Sequence, residues 1–209
     1  MKVSEKSLEL NVGAEVLNLM RNRWGMPKAY LRGLTQREER QEGVDFFAQL
    51  NTATRIFAFQ FKAPRGRLDA APYRYTLLRD QHATLFTLAQ GFPGSVYYVL
   101  PFYVTAAKLQ RDVPTLMQDT WLLPIDQMPT LQVFGSIQSK VVRCWPGVAA
   151  VNPEYRLLPL REVSATTLVG VPARQFAEWY IHYREFWATV ERRRSPWIAR
   201  GLRVAVVLS

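Results

Sequence analysis

Residues 44–63 read VDFFAQLNTATRIFAFQFKA, two aromatic and β-branched runs (44–50 and 55–63) joined by Asn51, Thr52, Ala53 and Thr54. Such runs flanking a short polar link predict a β-hairpin. Side chains alternate along a strand, so Ile56, Ala58, Gln60 and Lys62 are expected on one face and Phe57, Phe59 and Phe61 on the other. Asp45 stands six residues before Asn51 and Gln60 six after Thr54, so the hairpin is expected to gather Asp45, Gln60 and Lys62 at the end away from its turn. A carboxylate and an amide oxygen are hard donors of the kind Mg²⁺ accepts while keeping several waters. A neighbouring lysine suits the orientation of such a water, or the charge of a five-coordinate phosphorus.

Working outward, residues 4–23 are expected to form a helix. Ser4 is its N-cap, and Leu8, Val12, Val16, Leu19 and Met20 follow at helical spacing until Gly25 and Pro27 end it. Glu5 and Glu9 lie one turn apart on the face that carries Val12 and Val16, so one or both are expected to point inward; Glu15 borders the same stripe. Residues 28–43 are polar and charged and read as a surface connection, with a helical turn around 36–42. Pro64 stops the second hairpin strand. A basic loop at 65–71, a third strand at 73–78 and a helix at 80–90 carrying Leu85 and Leu88 come next. After Gly91, Pro93 and Gly94, the run VYYVLPFYV at 96–104 reads as a buried strand in which Pro101 marks an end, a bulge or an edge.

This order favours an α/β or α+β fold with a mixed β-sheet flanked by helices. Farther on, the patterns predict a helix at 106–111, strands at 131–137 and 141–144, a helix at 173–190 opened by Pro172, and a strand at 202–208. One domain is expected, with a core at 1–104 and a C-terminal α/β elaboration at 105–209.

The 209 residues include 27 Lys and Arg against 17 Asp and Glu, a net charge of +10 that fits a polyanionic partner. With hydrophobic residues at 48%, the chain has enough apolar surface for a core. A lone cysteine, Cys144, excludes internal disulfides and sites built from several thiolates, and points to a reducing, cytoplasmic setting. No apolar run approaches the roughly 18 residues of a membrane span, so no membrane partner is expected. The phosphate loop, the dinucleotide-binding turn and the nucleophile elbow are all missing, which disfavours a nucleotide-driven motor, a dinucleotide oxidoreductase and an ordinary serine hydrolase.

At Gly43-Val44-Asp45 and Gln60-Phe61-Lys62 the chain resembles the PD-(D/E)XK nuclease superfamily. It does so in the variant whose second motif is Q-x-K, as in Mrr-like restriction endonucleases and related phage-defence nucleases. The resemblance covers about the first half of the chain and implies a restriction-endonuclease-like core: a helix, a three-stranded meander, a second helix and a further strand. It departs from the common pattern in two places: Gln60 replaces an acid, and Val44 stands where proline usually precedes the aspartate.

The family implies a Mg²⁺- or Mn²⁺-dependent endonuclease in antiviral defence or restriction. Asp45 and Gln60 would hold the metal, Lys62 would act on the water or the phosphate, and Glu5, with Glu9 next, would complete the site from the first helix, whose N-terminal part fits the family's placement better. It also implies that Gln81 and His82, at the start of the second helix, face the active centre.

Arg65 and Arg67, beside that centre, are candidates for phosphate contact. Arg192, Arg193 and Arg194, close to Trp187 and Trp197, suit backbone contact with base stacking, or a protein interface. His182, among Trp179, Tyr180, Tyr183 and Trp187, reads as part of a packed helix face. The expected partner is nucleic acid, DNA above all, with a homodimer or an operon-encoded subunit in addition. A different class of function, a non-catalytic binding or assembly subunit on the same fold, is motivated by the neutral Gln60.

Overall fold

The computed structural model describes residues 1–23, 27–33, 46–50, 55–91, 93–145 and 158–159. The first helix, α1 (Glu5–Asn22), begins where the sequence places it, because the Ser4 hydroxyl accepts the Ser7 amide at 3.0 Å. Its apolar stripe of Leu8, Val12, Val16, Leu19 and Met20 is buried. Strands β1 (Tyr30–Gly33), β2 (Phe46–Leu50) and β3 (Arg55–Phe61) follow as an antiparallel meander. In the β2–β3 hairpin Leu50 faces Arg55 and Phe46 faces Phe59, the alignment that counting from the turn predicts.

Strand β4 (Tyr73–Leu78) leads into helix α2 (Arg79–Gly91), after which β5 (Val96–Pro101) returns parallel to β3, with Gln60 beside Tyr98. All six residues of β5 are buried, as a central strand covered on both faces requires, and Pro101 ends it. Helix α3 (Ala106–Asp112), capped by Thr105, precedes β6 (Thr120–Pro124), which pairs antiparallel with β5. Helix α4 (Thr130–Phe134), β7 (Ser139–Cys144) and β8 (Leu158–Pro159) complete the described elements. The main sheet runs β1-β2-β3-β5-β6-β8, and β4 with β7 forms a separate two-stranded sheet.

Two cores occupy the two faces of the main sheet. On one, Leu8, Val12, Val16 and Met20 of α1 pack on Phe57, Phe59, Phe61, Tyr97 and Val99. On the other, Leu85, Leu88 and Ala89 of α2 and Tyr73, Tyr75 and Leu77 of β4 pack on Ala58, Val96, Tyr98 and Leu100. The fold is therefore a mixed α/β architecture, a sheet between helices.

Three expectations need correction. Residues 30–33, read as part of a surface connection, form the edge strand β1, which pairs with β2 and sets Leu31 against the α1-side core. The strand at 73–78 forms where expected but joins β7 rather than the main sheet: Tyr73, Tyr75 and Leu77 face the core, and its ladder runs from Tyr73↔Cys144 to Leu78↔Ser139. The strand expected at 131–137 is instead the helix α4, preceded by Pro129 and stopped by Gly135 at φ +52°, a conformation that side-chain-bearing residues rarely adopt. The expected turn at 36–42, helix at 173–190 and strand at 202–208 lie outside the described residues. Residues beyond 104 supply β6 to the main sheet and β7 to the small one.

Candidate active site

The end of β3 carries the candidate chemistry. Pairing with β5 continues one residue past the strand, where the Lys62 amide donates to the Val99 carbonyl at 3.0 Å. The Lys62 side chain is thereby drawn in and keeps only 9% of its surface exposed. Burying an ammonium is costly without a partner, and Glu5 is that partner: its Oε1 lies 3.5 Å from Lys62 Nζ. The other oxygen, Glu5 Oε2, accepts the Ala63 amide at 3.0 Å. One carboxylate in the first turn of α1 thus meets both the backbone and the ammonium just beyond β3, while staying 43% exposed.

Of the acids on α1, the geometry separates three uses. Glu5 reaches Lys62. Glu9 is buried but pairs with Lys6 at 2.7 Å. Glu15 accepts the Leu116 and Met117 amides at 3.0 and 3.1 Å, and so caps the 3-10 turn Leu116–Asp119.

Gln60 is 2% exposed, and its Nε2 donates to the Phe61 carbonyl at 3.0 Å. Alternation along β3 sets it on the α2 face of the sheet, opposite to Phe59 and Phe61. The expectation that Lys62 shares this face needs correction: Lys62 lies past the last strand residue, so strict alternation no longer governs it, and its ammonium approaches α1. Asp45, Arg192, Arg193 and Arg194 lie outside the described residues. Among the described residues no group of three or more His, Cys, Asp or Glu is placed to hold a metal. The Gln60 amide oxygen and the Glu5 carboxylate are each hard donors of the type Mg²⁺ takes, but they belong to opposite faces of the sheet and do not form one donor set.

His82 must be corrected as a nucleic-acid contact. It has no exposed surface, and its Nε2 lies 2.7 Å from the Met128 carbonyl while Nδ1 lies 3.1 Å from the Tyr98 hydroxyl. A carbonyl only accepts, so Nε2 carries the proton and Nδ1 accepts from Tyr98. Burial holds this imidazole below its usual pKa, against a smaller opposing effect of the Met128 carbonyl. Stacked between Phe86 and Tyr98, the ring is a core element. Gln81, beside it in the first turn of α2, is half-buried.

Arg65 and Arg67 are exposed and line an open groove of about 570 Å³ together with Arg74 and Arg143. The last two were missed from the sequence. Each is a single outward residue in an alternating strand, and only the β4–β7 pairing brings them together. No helix among the described residues is long and apolar enough to cross a membrane.

No protein-family model, curated protein or solved structure matches the chain.

Proposed function

We propose that this protein is a divalent-metal-dependent nuclease of the PD-(D/E)XK type that hydrolyses phosphodiester bonds in DNA, as the effector of a bacterial defence or restriction system. The observation that carries the reading is the Glu5–Lys62 pair, at 3.5 Å, at the end of the strand bearing Gln60-Phe61-Lys62. The antiparallel meander β1–β2–β3 under α1, with β5 beside β3 after α2, supports it in part; β4, which the resemblance counts as the third meander strand, belongs to the separate small sheet. The defence role follows from the resemblance.

In this mechanism Lys62 serves the reacting phosphate. An ammonium three residues from the basic loop stabilises charge accumulating on the phosphate and orients the attacking water through its N–H groups. Glu5 is a positioning residue that holds the ammonium toward the end of β3. Asp45 and Gln60 would hold Mg²⁺ or Mn²⁺, which supplies Lewis-acid polarisation of the phosphate and a water of lowered pKa.

The test is cleavage of supercoiled plasmid, linear duplex and single-stranded DNA with Mg²⁺, Mn²⁺ or EDTA, alongside Asp45→Ala. Cutting that needs the metal and disappears in the variant is the expected result. Metal-dependent cutting retained by a pure Asp45→Ala preparation would overturn the site. No cutting on any substrate, with DNA binding intact, would favour the non-catalytic subunit instead.

A further inference from the structure

We propose that the small β4–β7 sheet and the loop before it form a docking groove for a nucleic-acid backbone, with Arg65, Arg67, Arg74 and Arg143 as its phosphate contacts. The choice of polyanion rests on the nuclease reading; the groove itself rests on geometry. Arg74 and Arg143 are directly opposite in the antiparallel ladder. Arg65 extends the same row, because it bridges to Arg74 with its amide on the Arg74 carbonyl at 2.6 Å. Three arginines therefore stand side by side across three neighbouring chain segments, a row of about 10 Å at ordinary strand spacing.

Like charges placed opposite one another in a sheet destabilise it. Here the repulsion has no internal remedy, for none of the four arginines forms an ion pair with a carboxylate among the described residues. The one acid in the loop, Asp69, is turned away: its carboxylate accepts the Val104 amide and the Thr105 hydroxyl and anchors the loop to the start of α3. Gly66, at φ +130°, lets the chain turn between Arg65 and Arg67, which keeps both at the groove. Apolar residues, Leu68, Ala71, Pro72 and Val141, line the groove beside the arginines, with Leu68 76% exposed.

Guanidinium groups stay charged at any working pH and match phosphate oxygens in pairs. A spaced row of them beside exposed apolar side chains suits a chain of singly charged phosphates joined by sugars better than one compact, multiply charged head group. The row also starts three residues after Lys62, within about 11 Å of it along the chain.

The test is binding, not cleavage. Fluorescence anisotropy of a short labelled DNA duplex is followed in EDTA from about 50 to 200 mM KCl. The wild-type chain is compared with the double variants Arg74→Glu/Arg143→Glu and Arg74→Gln/Arg143→Gln, and with Arg23→Glu, at the far end of α1, a control whose charge change equals that of the double Gln variant. The expected result is affinity lowered at least about tenfold in both double variants, a log–log salt slope smaller by about two, and a change under about threefold in the control.

Wild-type affinity and slope in double variants that keep the native circular dichroism would overturn the proposal. So would an equal loss in Arg23→Glu, or preferential capture of a poly-glutamate peptide over the duplex. Because EDTA removes catalysis from the readout, failure to cleave DNA in other assays leaves this result standing.

Discussion

Glu5, in the first turn of α1, lies with one carboxylate oxygen 3.5 Å from Lys62 Nζ and the other 3.0 Å from the Ala63 amide. The second contact fixes the carboxylate against the backbone, and the first lets it hold a buried ammonium at the strand end. Removing only the charge separates the two functions. Glu5→Gln keeps an acceptor for Ala63 but leaves the buried Lys62 ammonium without its counter-charge, and is expected to lower stability as well as cleavage. Glu5→Ala also strands the amide and is expected to cost about 1 kcal/mol more. Urea unfolding beside plasmid cleavage checks both; Glu9→Gln, whose acid serves Lys6, is expected to cut at the wild-type rate.

Lys62→Met retains the buried stem and deletes the ammonium. A well-packed apolar side chain commonly replaces a buried charge without loss of stability. The melting temperature is therefore expected to stay level or rise, while kcat falls at least about a hundredfold, the scale of losing one preorganised charge stabiliser. A comparable fall in stability and in rate would assign Lys62 to structure alone.

Glu15 accepts two backbone amides that open the turn before β6. Glu15→Ala leaves both donors without a partner in a largely buried place, and is expected to destabilise the fold by about 2 kcal/mol. Glu15→Gln offers one oxygen and is expected to recover about half. The midpoints of urea denaturation measure both.

The buried His82 makes stability depend on pH. Its folded pKa lies below the usual imidazole value, so the unfolded chain binds the proton more readily. Its contribution is complete above the unfolded pKa and is lost as the pH falls through that value toward the folded one. Between pH 7 and pH 5 the wild type is expected to lose more melting temperature than His82→Gln, which cannot titrate; equal slopes would show that the ring takes its proton as readily in the fold as in the unfolded chain.

Cys144 is buried, and that burial pushes its thiol up to about 12. It is the chain's one cysteine, so whole-protein alkylation reports it alone. Labelling by iodoacetamide at pH 8 is expected to run about a thousandfold slower than for a free thiol, and to reach the ordinary rate in denaturant.

The sequence by itself determined what is local. Helical spacing and the Ser4 cap place α1, the short link sets the β2–β3 register, and the apolar run 96–104 announces a central strand, because each depends on neighbours a few residues away. It also singled out Gln60 and Lys62 by their position on one strand. Tertiary structure decided what is distant. Only assembly shows that Glu5 rather than Glu9 meets Lys62, that the polar 30–33 segment joins the sheet by its backbone, and that β4 pairs with β7 to align Arg74 and Arg143. Alternation tells a strand which side to bury, and is silent on which strand it will join. That choice is made by hydrogen bonds and buried surface between segments far apart in the chain.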